Sequence, residues 1–266
     1  MMNTHKFKFL LLLIVGMGLS FTACKDYLDV NVDPNQSTTS RVDLQLSAAQ
    51  LQTAIGIGQR IYPAVSVWSQ YYTGGPGVSL GDPDQHKLAS SEGNEVFTRL
   101  MRSGVNLDFI IKNSTNSNYI AIAKIMKAYN FQVLVDLFGD IPYTQALKGD
   151  IADGSILHPQ YDDAETVIYP ALEVEILDAL DLITAGALEA HPGTDDLLYG
   201  GDMAHWAKFA NTLLLKIYLR QASYADATAL VASGAEFVTT NADNGLVSFP
   251  GGSSASNPFW NAAKST

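Results

Sequence analysis

The sequence predicts an all-α chain of paired helices separated by long irregular loops, and three observations predict it. Everything long and periodic in the chain repeats its apolar residues at helical spacing. Glycine and proline gather in a few loops and helix ends. The composition, 47% apolar and 16% charged over 266 residues, supplies an ample core.

At the amino terminus His5, Lys6 and Lys8 form a basic start, and an apolar run from Phe9 to Leu19 comes next. That run falls short of the roughly 20 apolar residues of a spanning helix, so residues 1–23 read as a secretory signal peptide. Leu19-Ser20-Phe21-Thr22-Ala23 then leads directly into Cys24, the only cysteine of the chain. A lone cysteine forms no intrachain disulfide, and small residues before it read as a bacterial lipobox in which Cys24 receives a diacylglycerol and its freed amine a further acyl chain, such as palmitate. Residues 24–43, rich in Asp, Asn, Pro, Ser and Thr, are the expected tether.

The helical domain is expected from residue 44 to residue 266. Leu44, Ala48, Leu51 and Ile55 recur at spacings of four, three and four, which places them on one core-facing stripe, with Gly56 and Gly58 marking the helix end. A second helix over 60–72 puts Trp68, Tyr71 and Tyr72 on one face, and the glycine-rich stretch 73–94 is a long loop of the kind that carries function. Helices are expected over 95–112 and 118–138, the latter with Ile122, Met126, Tyr129, Val133 and Leu137 on one face and burial nearly all round. Gly139 stops it and Pro142 fixes the exit. A helical pattern over 162–184 has Tyr169, Leu172, Ile176, Leu180 and Ile183 as its core stripe, with regular helix starting near Pro170. After a loop over 186–201, segments 203–221 and 224–238 form an antiparallel pair. Short strands are expected in the tail, 241–266, around Val247, Phe249 and Phe259. Such pairs suggest an α-solenoid or tetratricopeptide-like arrangement, although no clean 34-residue repeat is present.

Charge narrows the class of partner. The formal net charge of −11 becomes more negative once Lys6 and Lys8 leave with the leader, and such a surface repels nucleic acid. His5, His86, His158, His191 and His205 are scattered without metal-ligand spacing, and no calcium loop, nucleophile elbow or dinucleotide fingerprint is present, so neither metal nor cofactor is expected. A sugar presents apolar C–H faces and many hydroxyls, so its binder needs a flat ring and nearby amides or carboxylates. Trp68, Gln70, Tyr71 and Tyr72, with Asp82 and Asp84 in the adjoining loop, offer those ingredients; the same ring spacing also fits plain core. Asp136 and Asp140, four apart around a helix end, have the spacing of a carboxylate pair for acid/base chemistry, and Asp195 with Asp196 reads as a helix-start or solvated pair.

Four stretches carry a family resemblance. They are Cys24-Lys25-Asp26-Tyr27-Leu28-Asp29-Val30-Asn31 with Asp33-Pro34-Asn35; Lys124 to Tyr129 running into Leu134-Val135-Asp136-Leu137-Phe138-Gly139-Asp140-Ile141-Pro142-Tyr143; Tyr161-Asp162; and Asp196-Leu197-Leu198-Tyr199-Gly200-Gly201-Asp202 followed by Trp206-Ala207-Lys208-Phe209-Ala210-Asn211. Together they make the chain resemble the SusD/RagB family of outer-membrane lipoproteins, in its second SusD-like branch. The resemblance implies a tetratricopeptide-like helical core and a lipid-anchored, non-enzymatic protein. Such a protein binds oligosaccharide or another nutrient and delivers it to a SusC-like TonB-dependent transporter. Lys25 and Asp26 resemble the signal that sends such lipoproteins to the cell exterior. Members of the family are considerably longer, so the chain is expected to lack a C-terminal half. Two alternatives are a helical scaffold that binds only protein and a surface glycoside hydrolase, which needs two carboxylates facing one cleft.

Overall fold

The structure is a computed structural model that describes residues 40–74, 85–87, 91, 93–149, 154–252 and 256–258. Cys24, most of the expected tether, Asp82, Asp84 and Phe259 lie outside the described residues. The described helices all belong to one compact unit, Arg41–Thr266.

The described architecture is helical throughout: α1 (Val42–Gly56), α2 (Tyr62–Trp68), α3 (Asn94–Asn113), α4 (Ser117–Phe138), α5 (Tyr169–Ala185), α6 (Met203–Arg220) and α7 (Tyr224–Ala232). α1 packs on α3, α3 on α4, α4 on α5, α5 on α6 and α6 on α7, the neighbour-on-neighbour order of a stacked helical array. The tetratricopeptide-like expectation is met by this order of contacts.

α4 is the central element. Asn116 caps its start by accepting hydrogen bonds from the N–H groups of Asn118 and Tyr119 at 3.0 and 3.2 Å, an arrangement worth about 1 kcal/mol. Gly139, at φ +74°, ends it where a Cβ would be strained. Ile122, Ile125, Phe131 and Leu134 are fully buried between these ends, each contributing about 1.5–3 kcal/mol of transfer free energy. Leu137, expected on the same face, is instead 40% exposed.

Two π-turns, Ile57–Ile61 and Ala164–Ile168, lead directly into α2 and α5, whose first turns carry Pro63 and Pro170. Proline offers no N–H and crowds the carbonyl four residues back, and the wider turn relieves both problems at once. The chain therefore stays helical through Gly56 and Gly58. Gly56 is the last residue of the regular α-helix, but the chain continues as a π-turn instead of stopping; Gly56 is buried, and a Cβ there would meet Arg99 Cβ of α3 at 3.4 Å.

The core face of α1 also differs from the expected stripe. Leu44 is 61% exposed and Leu51 38%, while Leu46, Ala49, Gln50, Thr53 and Gly56 are buried. The polar members are paired, which is why polarity alone misassigned the face. Thr53 donates to Asn130 Oδ1 (3.0 Å), Asn130 Nδ2 donates to Ser103 Oγ (2.9 Å), and Ser103 donates to the Ala49 carbonyl (2.9 Å). This chain of bonds ties α1, α3 and α4 together without leaving a polar group dry.

α7 ends at Ala232, earlier than expected, because Ser233 caps the last turn through its own hydroxyl to the Leu230 carbonyl (2.7 Å) and Gly234 turns the chain at φ +83°. Among the described residues no strand forms in the tail; its regular piece is the 3₁₀ turn Asn241–Asp243. The tail lies along α6, where Val238 N–H donates to Thr212 Oγ1 (2.9 Å) and Asn211 Nδ2 to the Glu236 carbonyl (3.0 Å). One antiparallel bridge, Ile141 to Asp162, is the sole β-type pairing among the described residues. No described helix is long and apolar enough to cross a membrane.

Candidate functional site

The expected aromatic face at 68–72 does not form as a helix face. α2 ends at Trp68, where Ser69 donates both its N–H (2.9 Å) and its hydroxyl (2.7 Å) to the Val65 carbonyl. Gln70 then takes φ +61°, and Tyr72 N–H returns to the Ser66 carbonyl (3.1 Å). This turn separates the three rings. Trp68 stays half-buried, Tyr71 projects with 92% of its surface exposed, and Tyr72 is 43% exposed. Tyr71 is thus no core ring. Its exposed face, with the Gln70 amide one residue away, stands shortly before Asp82 and Asp84 in the sequence.

Trp68 has a different peculiarity. Its indole N–H is fully buried and meets no acceptor among the described residues, an arrangement that costs about 1–3 kcal/mol.

The carboxylates considered for chemistry are all occupied by structure. Asp136 accepts from the Tyr169 hydroxyl (2.5 Å), from Arg220 (3.0 Å) and from Gln132 Nε2, joining α4, α5 and α6. Burial, reinforced by that bond to Asp136, pushes the Tyr169 hydroxyl well above its ordinary range. Asp140 Oδ1 accepts from the Ala164 N–H at 2.9 Å, at the start of the π-turn.

Asp195 and Asp196 are not a solvated pair. Asp196 is 3% exposed and accepts from Gln50 Nε2 (2.7 Å), Trp206 Nε1 (2.8 Å) and the Gly201 N–H (2.9 Å). It binds the 193–202 loop to α1 and α6. Asp195 accepts from the Tyr119 hydroxyl (2.7 Å), and burial followed by that bond raises the Tyr119 pKa. The signal for Asp196 was present as Trp206, ten residues on, whose N–H needs an acceptor when buried.

A concavity of about 250 Å³ lies between α1, α4, α6 and the tail, lined by Thr53, Met126, Tyr129, Phe209, Val247 and Phe249. Burial raises the Tyr129 hydroxyl pKa there. Among the described residues no group of three or more His, Cys, Asp or Glu could hold a metal ion.

Comparison with known proteins decides the family. The family model described as SusD-like, starch-binding and associating with the outer membrane matches residues 34–266. The chain belongs to the SusD-like family. No curated protein sequence matches it. Among solved structures, a chitin-binding protein is similar at 26% identity and TM-score 0.69, with 85% of this chain covering 49% of that one. A SusD/RagB family protein of Bacteroides thetaiotaomicron matches at 22% identity, TM-score 0.69 and the same coverage. A SusD homologue of Bacteroides uniformis matches at 23% identity and TM-score 0.59, with 84% of this chain covering 48% of that one. The latter two bear on the fold alone. This SusD-like chain spans about half the length of these solved structures.

Proposed function

We propose that this SusD-like chain is the helical part of an outer-membrane lipoprotein that binds oligosaccharide without cleaving it and passes it to a SusC-like TonB-dependent transporter. The observation that carries the reading is the family match over residues 34–266, to a family described as starch-binding and associating with the outer membrane. The similarity to a chitin-binding protein points to the same ligand chemistry. Cys24 carries the lipid after a signal peptide of residues 1–23, and a tether runs from it to α1. Anchored this way, the chain faces the cell exterior.

Trp68, Gln70, Tyr71 and Tyr72, with Asp82 and Asp84, form the proposed ligand site. The exposed Tyr71 ring offers a stacking face and the Gln70 amide a hydrogen-bonding partner. A hydrolase is disfavoured because Asp136, Asp140, Asp195 and Asp196 are each engaged in holding backbone or side chains.

Isothermal titration of the chain with maltoheptaose and with chitohexaose tests the ligand. Heat of binding with either, weakened in Tyr71→Ala and with no shortened product, is expected. A protein that binds neither sugar but retains a transporter partner is a scaffold, and the ligand reading then fails. Radiolabelled palmitate tests the anchor: incorporation lost in Cys24→Ser is expected, and equal incorporation in both proteins removes it.

A further inference from the structure

The exposed aromatic residues of the described surface are not all near Tyr71 in sequence. Phe138 and Tyr161, 40% and 73% exposed, line a separate open pocket of about 530 Å³ together with Gly93, Asn94, Thr98 and Asp140. An exposed phenylalanine at a helix end is ordinary by itself. Here, however, the ring is fixed. It packs edge-to-face on Phe97 with centroids 5.6 Å apart, and it lies so close to Gly93 that a Cβ there would sit 2.8 Å from its edge. Gly93 stands at φ +86° and has no side chain to obstruct the ring.

The backbone beneath the pocket is equally fixed. Phe138 precedes the Gly139 turn, Ile141 bridges to Asp162, and Asp162 Oδ2 accepts from the N–H groups of Tyr143 (2.9 Å) and Thr144 (2.7 Å). Asp140 ties the same turn to Ala164. Tyr161 is the neighbour of the bridged Asp162, so both aromatic residues stand on cross-linked backbone rather than on a long loop. A site held on rigid elements loses little entropy when a ligand settles on it.

The lining selects the ligand. Asn94, Thr98 and Asp140 are exposed and supply an amide, a hydroxyl and the second carboxylate oxygen of Asp140, whose Oδ1 is held by the Ala164 N–H, while the rings supply apolar faces. Among the described residues no lysine or arginine lines the pocket, which argues against a phosphate, a sulfate or an acidic sugar. The volume falls within the roughly 300–1,000 Å³ typical of small-molecule sites. From these features we propose that the Phe138–Tyr161 pocket is a second, preformed subsite for a neutral sugar ring, distinct from the residues around Tyr71. Its ligand class rests on the carbohydrate-binding function proposed for the chain; its position does not.

The test is titration of the chain with maltoheptaose and with chitohexaose, read by calorimetry and by the ring resonances of Phe138 and Tyr161. Both sets of resonances should shift on addition of the bound sugar, and Tyr161→Ala should weaken binding about tenfold, the loss of one stacking contact with its hydrogen bond. Tyr161 is largely solvated, so its replacement leaves the fold intact. Gly93→Ala, which displaces the Phe138 ring without touching Tyr161, should weaken binding in the same direction, with far-UV circular dichroism reporting that the helices remain. If sugar binds, Tyr71→Ala weakens it, and Tyr161→Ala with Gly93→Ala leave it unchanged, the second subsite is overturned and the carbohydrate reading stands. If neither sugar binds the wild-type chain, both fall.

Discussion

Replacing Asp196 by alanine removes a carboxylate that accepts from five donors, the Leu198 and Tyr199 N–H groups at 3.2 and 3.4 Å and three closer ones. Gln50 Nε2 at 2.7 Å, Trp206 Nε1 at 2.8 Å and the Gly201 N–H at 2.9 Å all end on it, and Trp206 is fully buried. Each dry donor costs about 1–3 kcal/mol, and because the donors share one acceptor their costs do not add in full; about 3–5 kcal/mol is expected. Urea unfolding, read by tryptophan fluorescence and far-UV circular dichroism, measures this loss. With a slope of about 2–3 kcal/mol per molar urea, the midpoint should fall by about 1–2 M. Asp196→Asn keeps the volume and one acceptor oxygen and should lose about half as much. A midpoint in Asp196→Ala within the error of the wild-type value would overturn the assignment of Asp196 as the link between α1, the 193–202 loop and α6.

The geometry sets three further outcomes. Gly201→Ala should prevent stable folding, since φ is +84° and the new Cβ would lie 1.8 Å from the Pro192 carbonyl oxygen; soluble yield and a thermal melt check it. Trp68→Phe should leave stability within about 1 kcal/mol of wild type in the same urea assay, because the lost contact area is offset by removal of a buried N–H that has no acceptor among the described residues. The third concerns Asp243, whose carboxyl is held well below the usual carboxylate range by its bond to Lys208 and then by Thr240. A depressed pKa adds stability that is fully present above the unfolded value of about 3.9 and is lost progressively as pH falls through the lower folded value, so the stability gap between wild type and Asp243→Asn should be widest near neutrality, begin to narrow below about pH 4 and close only in stronger acid.

The elements legible in the sequence were those whose ends are written chemically. α4 stops at Gly139, and α5 begins where Pro170 allows it to. These are local signals, and burial reinforces them. The face of α1 was not legible because Gln50 and Thr53 read as polar and solvated until their partners, Asp196 and Asn130, are brought in from far along the chain. Long-range pairing also hid the role of Asp196.

The π-turns, by contrast, had a visible sign. Ile61-Tyr62-Pro63-Ala64 and Ile168-Tyr169-Pro170-Ala171 are the same string, and in each the isoleucine closes a π-turn in the structure. At the candidate site, the ring spacing of Trp68, Tyr71 and Tyr72 suggested a shared helix face. The Ser69 hydroxyl and the left-handed Gln70 ended the helix first, and neither effect is encoded in periodicity. The Phe138–Tyr161 pocket escaped for another reason: Phe138 and Tyr161 sit in two separate family motifs, 23 positions apart, and long-range contacts, the Ile141–Asp162 bridge and the bonds of Asp162 to Tyr143 and Thr144 among them, bring those motifs together.

Whether this chain holds carbohydrate is settled most simply by co-sedimentation with insoluble starch and with insoluble chitin, using the chain at a fixed concentration and increasing polysaccharide. The protein should move saturably into the pellet with at least one of the two and be released by the matching soluble oligosaccharide. Protein that remains in the supernatant with both polysaccharides at every concentration would show that carbohydrate capture is not its function.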